Sequence, residues 1–332
     1  MRFGPVPLSE AEGTILAHAV RVDGLALKKG DVITPQHRRT LEAAGVDKII
    51  VASLEEGDVG ENDAALRLAK RIGGSHVRLA APFTGRVNLF AEKAGLVVID
   101  STAIGRLNAV DESITVATLP EHQPVAEGDM IATVKIIPFA TRSDLLGSAL
   151  AALGSEPAVV VAPFRPLQVA VASTLLPGLK ASVVAKTVRT LDQRLAPTGA
   201  RVVAHETTPH DVEPLAKVLE RLALNADALI VFGASAITDR RDVIPAAIEA
   251  FGGTIERFGM PVDPGNLLLL ARRGPQIIIG APGCARSPKE NGFDWVLQRV
   301  IAGVPTSDAD IRAMGVGGLL MEISSRPQPR QP

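Results

Sequence analysis

The sequence predicts an α/β protein. Its C-terminal half reads as a doubly wound, three-layer domain around a mostly parallel sheet, preceded by a small α/β segment and a β-rich module. Three observations predict this. Continuous or nearly continuous apolar runs, such as Ala228–Phe232 and residues 167–173, recur through the C-terminal half. Such runs are strands buried on both faces of a parallel sheet. Segments with apolar residues at helical spacing alternate with them, which makes a doubly wound domain. Ahead of this region, β-branched runs follow one another with only turn residues between them.

Within residues 1–74, Thr34-Pro35 reads as a helix N-cap followed by proline at the first helical position, with the helix stopping at Gly45. Residues 48–52 read as a strand. Ala65, Leu66, Ala69 and Ile72 mark a second helix, ended by Gly73-Gly74. Residues 75–140 carry strands over 96–99, 114–118 and 130–137, the pattern of a small sandwich or barrel. Residues 141–322 form the expected α/β domain. Its strands fall at 167–173, 201–205, 228–232 and 276–279. Its helices are marked by Val184 to Leu195, Val212 to Leu222, Asp242 to Ala250 and Phe293 to Ile301. The Pro-, Gln- and Arg-rich tail, 323–332, has the composition of a disordered segment.

Composition narrows the function classes. Of 332 residues, 46% are hydrophobic and 21% charged, enough apolar content for a packed core. Only 3% are aromatic, with no Tyr and one Trp, and the net charge is −1. A nucleic-acid binder usually shows a basic excess or stacking aromatics, and neither is present. Cys284 is the only cysteine, which excludes an internal disulfide framework and a multi-cysteine metal cluster. The N-terminus has no apolar run that would make a signal peptide. The most apolar stretch, 145–164, is broken by Gly154-Ser155-Glu156-Pro157 and falls short of a membrane span. A soluble cytoplasmic protein without a membrane or nucleic-acid partner is expected.

In an open α/β sheet, ligands sit beyond the carboxyl ends of the strands. One loop there runs Gly233-Ala234-Ser235-Ala236-Ile237-Thr238-Asp239-Arg240-Arg241-Asp242. Its small residues allow backbone amides to approach a ligand, and the following helix N-terminus suits a phosphate. Arg240 can add a charge-assisted contact, and Asp239 and Asp242 can hold a divalent ion or a hydroxyl. The plainer reading makes Asp242 an N-cap and the arginines solvated. The turn Asp263-Pro264-Gly265-Asn266 is a second candidate, though Asp-Pro-Gly is common in simple turns. The third is Gly280-Ala281-Pro282-Gly283-Cys284-Ala285-Arg286-Ser287-Pro288-Lys289, with Arg286 and Lys289 as anion contacts and Cys284 either a ligand contact or a small packed hydrophobe. The fourth follows the first strand of the domain: Ser173 and Thr174 offer hydroxyls, with Lys180 and Lys186 nearby. The six histidines show no metal-ligand spacing, and His205 and His210 read as part of a surface loop.

Together these loops resemble the molybdopterin-binding domain of molybdenum-cofactor biosynthesis proteins. Gly233-Ala234-Ser235-Ala236 stands where that family carries Gly-Gly-Thr-Gly or Gly-Gly-Val-Ser, and Asp242-Val243-Ile244-Pro245 matches its Asp-Val-x-Pro helix start. Met260-Pro261-Val262-Asp263-Pro264-Gly265 occupies the place of its Pro-Gly turn after a Met. Ala281-Pro282-Gly283-Cys284 resembles its Leu-Pro-Gly-Asn-Pro strand end. Order and spacing agree across residues 167–303. Leu27-Lys28-Lys29-Gly30-Asp31-Val32-Ile33-Thr34 is similar to a segment of molybdenum insertases ahead of their binding domain. The whole chain looks most like the molybdopterin-binding half of proteins fused to a nucleotidyltransferase that completes the cofactor.

The resemblance implies a ligand, molybdopterin or molybdenum cofactor, held by its pterin phosphate, with Mg²⁺ and a nucleotide as further components. The implied binding residues are Gly233, Ala234, Ser235, Ala236, Thr238, Arg240, Pro264, Gly265, Asn266, Pro282, Gly283, Cys284, Arg286, Ser287, Lys289, Ser173 and Thr174. Asp239 and Asp242 are the implied catalytic pair. Three functions follow: binding and delivery of the cofactor, Mg-dependent adenylation of molybdopterin or molybdate insertion, and a non-catalytic scaffold for a partner nucleotidyltransferase or molybdoenzyme. Relatives of this domain self-associate, which implies a homo-oligomer. The insertases carry an acidic Thr-Gly-Asp-Glu turn after the first strand, whereas Ser173-Thr174-Leu175-Leu176 has no carboxylate. That departure weighs against metal-assisted chemistry.

Overall fold

The computed structural model describes residues 1–178 and 181–320. The tail expected to be disordered lies outside the described residues, as does Lys180. The chain divides into two compact units, one made of Met1–Lys93 and Val97–Val161, the other of Ala94–Leu96 and residue 162 onward.

In the first unit, Arg2–Pro7 and Ile15–Leu16 flank Lys48–Ser53 in an antiparallel sheet. Pro35–Ala43 is the expected helix. The Thr34 hydroxyl accepts from His37 N at 3.1 Å and satisfies one of the donors a helix start leaves open. A four-stranded antiparallel sheet runs in the order Ile114–Thr118, Met130–Ile136, Arg86–Ala91, Val77–Leu79. Helices Glu61–Ile72, Ser101–Asn108 and Ser143–Ala152 bury Leu68, Leu107 and Leu146 in the same core as its Val87 and Val134. The sandwich-or-barrel reading misses the helix Ser101–Asn108. Asp100 caps it by accepting from Ala103 N, but its eight residues include Gly105 and Asn108, both poor helix formers.

The second unit holds a six-stranded sheet. In chain order it comprises β1 (Gln168–Leu175), α1 (Ala181–Leu195), β2 (Arg201–Pro209), α2 (Val212–Ala223), β3 (Ala228–Phe232), α3 (Val243–Ala250), β4 (Thr254–Phe258), β5 (Leu269–Arg273), β6 (Gln276–Ala281), α4 (Gly292–Ala302) and α5 (Asp308–Ala313). The spatial order is β2-β1-β3-β6-β5-β4. The first four strands are parallel, and β5 and β4 run antiparallel. The mostly parallel sheet is therefore as the sequence predicts, with an antiparallel edge hairpin added.

Side chains alternate across a strand, and this decides the layers. Val169, Val171, Ile230, Phe232, Ile279 and Ala281 face one way and meet Leu191 and Leu195 of α1 and Phe293, Val296 and Val300 of α4. Ala170, Ala172, Leu229, Val231 and Ile278 face the other way and meet Leu215 and Leu219 of α2 and Ile244 and Ile248 of α3. Three layers result, with helices on both faces. The chain steps from β1 outward to β2, then returns past β1 to β3. Successive crossovers thus diverge between β1 and β3, and a crevice opens beyond their carboxyl ends.

Ile230 is fully buried at the centre of this sheet. Truncating it to alanine removes buried methyl groups and leaves a cavity on the face packed by α1 and α4. Ile230→Ala is predicted to cost about 2–5 kcal/mol. Urea denaturation should show a lower midpoint at an unchanged slope, and an unshifted midpoint would contradict this packing.

Candidate functional site

Register brings the candidate loops to one edge. Ser173 of β1 pairs with Phe232 of β3, and Phe232 pairs with Ala281 of β6, so three parallel strands end side by side. Leu269 of β5 pairs with both Gly280 of β6 and Phe258 of β4. The connection carrying Asp263-Pro264-Gly265-Asn266 therefore turns at the same edge.

Side chains tie these loops together. The Thr174 hydroxyl accepts a hydrogen bond from Ala234 N at 2.8 Å, closing the crevice between β1 and β3 at its base. Arg286 donates to the Gly233 carbonyl at 2.6 Å and to the Thr187 hydroxyl at 3.1 Å. Its guanidinium lies 5.5 Å from the centre of the Phe232 ring. Burial lowers the Arg286 pKa from its ordinary value, and an arginine starts so high that the group stays cationic. Gly233 must be glycine for a steric reason: a Cβ there would stand 2.6 Å from both Ile244 Cδ1 and the Ser235 carbonyl.

Beyond Ala234 the loop rises to a crest. Ser235, Ala236, Thr238, Asp239 and Arg240 are exposed, while Ile237 is buried and anchors the crest from beneath. Asp242 caps α3, accepting from Val243 N at 2.8 Å and Thr238 N at 3.3 Å. Asp239 is held by Arg241, whose backbone N and Nε each donate at 2.8 Å. The Arg241 contacts lower the Asp239 pKa to about 2. Arg240 sits over the Phe258 ring at 5.9 Å. The two aspartates thus serve a cap and an ion pair. Among the described residues, no group of three or more His, Cys, Asp or Glu side chains is arranged to hold a metal ion.

The remaining candidates divide into packed and open groups. Pro282, Cys284 and Ala285 are buried, whereas Gly283 and Lys289 are exposed. A Cβ at Gly283 would meet nothing within 4 Å, so this loop faces open space there. Ser287 is half-buried, and its hydroxyl accepts from Lys289 N at 3.3 Å. Ser173 is 3% exposed and Thr174 1%, so their hydroxyls organise the site from within. Lys186 is exposed on α1. At the second candidate, Gly292 N donates to the Pro264 carbonyl at 2.8 Å and Met260 N to the Asn266 carbonyl at 3.0 Å. Gly265 is buried with φ +144, and a Cβ there would lie 2.9 Å from Gly292 Cα. This turn fastens the start of α4 and exposes only Asn266.

Sequence reasoning missed two groups. Arg194, on α1, donates to Asp294 Oδ1 at 2.5 Å and to the carbonyls of Ala285, Ser287 and Lys289 at 2.7, 2.5 and 3.2 Å. One buried guanidinium therefore shapes the whole 285–289 loop. Burial raises the Asp294 pKa, and the hydrogen bond from Arg194 pulls it back. The available signal was a cation on an apolar stripe, three residues beyond Leu191 and beside Leu195. The second group is the pair of histidines, of which His210 stands in the bend after β2 as the loop reading has it, while His205 does not. His205 lies in β2 with Nε2 3.1 Å from the Ser173 hydroxyl, and His210 Nδ1 is 2.8 Å from the Thr174 hydroxyl. A cleft of about 260 Å³ lies beside the 285–289 loop, lined by Thr190, Gln193, Pro288, Leu297 and Gln298.

Residues 167–302 match the family described as a probable molybdopterin binding domain. The match spans the sheet from the residue before β1 to the end of α4. Residues 5–53 match a domain of unknown function. Among solved structures, a molybdenum cofactor biosynthesis protein from Pyrococcus furiosus is similar at 11% identity and TM-score 0.27, covering 92% of this chain and 66% of its own. A molybdopterin biosynthesis moeA protein from Pyrococcus horikoshii aligns at 11% identity and TM-score 0.27, covering 92% of this chain and 76% of its own. The molybdopterin biosynthesis enzyme MoaB from Thermus thermophilus aligns at 17% identity and TM-score 0.29, covering 42% of this chain and 98% of its own. No curated protein matches.

Two outcomes test this geometry. Arg194→Ala leaves a buried carboxylate and three loop carbonyls without their cation, and is predicted to cost roughly 3–5 kcal/mol. With Arg194 gone, the folded-state pKa of Asp294 stays above its unfolded value. The cost of the variant relative to the wild type should therefore be smallest where Asp294 is protonated and grow as pH rises through that pKa, and a pH-independent cost would contradict the pairing. Asp239 has the opposite sign: its contribution is present above its ordinary pKa and lost as pH falls toward about 2. A carboxyl NMR titration should show that low midpoint, and Arg241→Ala should raise it; a midpoint indifferent to Arg241 would refute the contact.

Proposed function

We propose that this protein binds molybdopterin, or the molybdenum cofactor built from it, in the biosynthesis or delivery of that cofactor. The family match over residues 167–302 supports the ligand class. One observation carries the proposed location: the loops after β1, β3 and β6 end at one edge and are joined by Thr174–Ala234 and Arg286–Gly233. Around that junction stand Ser235, Ala236, Thr238, Gly283, Ser287 and Lys289. Hydroxyls, a cation and small residues that leave backbone accessible form a donor set suited to a phosphate-bearing ligand.

In this reading the pterin phosphate rests against the 235–238 crest and the 283–289 loop. Lys289 meets its charge, and Asn266 borders the site from the next turn. Arg286 acts from behind, holding the Gly233 carbonyl. A non-catalytic hand-over to a partner nucleotidyltransferase or molybdoenzyme is favoured over adenylation or molybdate insertion by two observations. No carboxylate follows β1 at Ser173-Thr174-Leu175-Leu176, and both Asp239 and Asp242 are already engaged. Among the described residues no cluster of carboxylates is arranged as a Mg²⁺ site. A cytoplasmic setting and self-association belong to the same reading. Among the described residues no helix is long and apolar enough to cross a membrane.

Titration of the folded chain with molybdopterin tests the proposal. Saturable binding is expected. Lys289→Ala should weaken it about tenfold, equivalent to 1.4 kcal/mol, without changing the denaturation midpoint. A well-folded chain that leaves molybdopterin unbound would overturn the assignment.

A further inference from the structure

The crest of the proposed phosphate loop begins at Ala234, and what holds Ala234 is a relay. His210 follows β2 and is pinned to the end of β1, where its backbone N donates to the Leu175 carbonyl at 3.0 Å. From that fixed point its Nδ1 lies 2.8 Å from Thr174 Oγ1, and Thr174 Oγ1 in turn lies 2.8 Å from Ala234 N. Thr174 is 1% exposed, so its hydroxyl is shielded from bulk solvent.

Hydrogen-bond chemistry orders this relay. A backbone N–H can only donate, so Thr174 Oγ1 accepts from Ala234. The hydroxyl's single proton is then free to point at His210 Nδ1. With the imidazole proton on Nε2, the unprotonated Nδ1 accepts it. Each hydroxyl bond polarises the other, so an oriented O–H also strengthens the Ala234 contact. His210 thus acts on Ala234 from across the sheet without touching the loop.

We propose that His210 is a positioning residue: through the Thr174 hydroxyl it sets the position of Ala234, and with it the crest of small residues that receives the ligand's phosphate. This rests on the molybdopterin-binding reading. It assigns a role to a histidine that reads from sequence as surface loop, and it makes the site's affinity depend on β2, a strand that ends outside the loops around the ligand.

The test uses the full chain and reads two quantities in each variant: the backbone amide resonance of Ala234 with its hydrogen-exchange rate, and the affinity for molybdopterin. In the wild type the imidazole nitrogen shifts should report an unprotonated Nδ1 that accepts a hydrogen bond, and Thr174→Val should change that signature. His210→Ala should shift the Ala234 amide, speed its exchange and weaken molybdopterin binding by roughly 3- to 10-fold, the range a single hydrogen bond spans. His210→Asn, which places an acceptor near the Nδ1 position, should restore both readouts. An Ala234 amide and an affinity unmoved by His210→Ala would overturn the proposal. So would equal losses in His210→Asn and His210→Ala, since bulk alone would then be at work. A wild-type chain that binds no molybdopterin, with Ala234 still responding to His210→Ala and recovering in His210→Asn, would refute the functional reading and leave the positioning role standing.

Discussion

Burial on both faces is the constraint from which the rest of this domain follows. β1, β3 and β6 are sandwiched between helix layers, so nearly every side chain they carry must be apolar, whichever way it points. Polar groups are excluded from the sheet's interior and collect where the strands end. Ser173 and Thr174 are the first polar residues β1 admits beyond Gln168, and they sit at its carboxyl end. The chemistry of the domain is therefore gathered at one edge by the same burial that holds the fold together.

At that edge the cations divide into two kinds. Arg194 and Arg286 are drawn inward and spend their donors on carbonyls, one hydroxyl and one carboxylate of the protein itself. A guanidinium suits this work because its planar fork bonds several acceptors at once, where a lysine offers a point charge. They fix the shapes of the loops that begin at Gly233 and Gly283. Lys289 remains outward, on a backbone that Arg194 has already positioned through the Lys289 carbonyl. Preorganisation of this kind lowers the ordering cost that a ligand would otherwise meet on binding.

Local pattern made the parallel core legible. Mostly apolar runs at 167–173, 228–232 and 276–279, with helical spacing between them, are signals a reader can count. The hairpin β4–β5 was not legible, because Glu256 and Arg257 break the apolar pattern of the edge strand β4, and Arg272 and Arg273 cut short that of β5, whose Leu269, Leu270 and Ala271 are buried between both helix layers. The site was legible as loops and small residues. It was not legible as roles, since those depend on partners far along the chain. Asp242 is a cap because Val243 N is beside it, a reading available locally. His210 and Arg194 act on residues 36 and about 100 positions away, separations that no local pattern encodes.

The measurement that bears most directly on this account is a crystal structure of the chain soaked with molybdopterin. The account predicts density for the terminal phosphate between the Ser235–Thr238 crest and the Gly283–Lys289 loop, within hydrogen-bond reach of exposed amides or hydroxyls on both. A pterin seated elsewhere, such as the cleft between Gln193 and Gln298 with the edge loops bare, would contradict it.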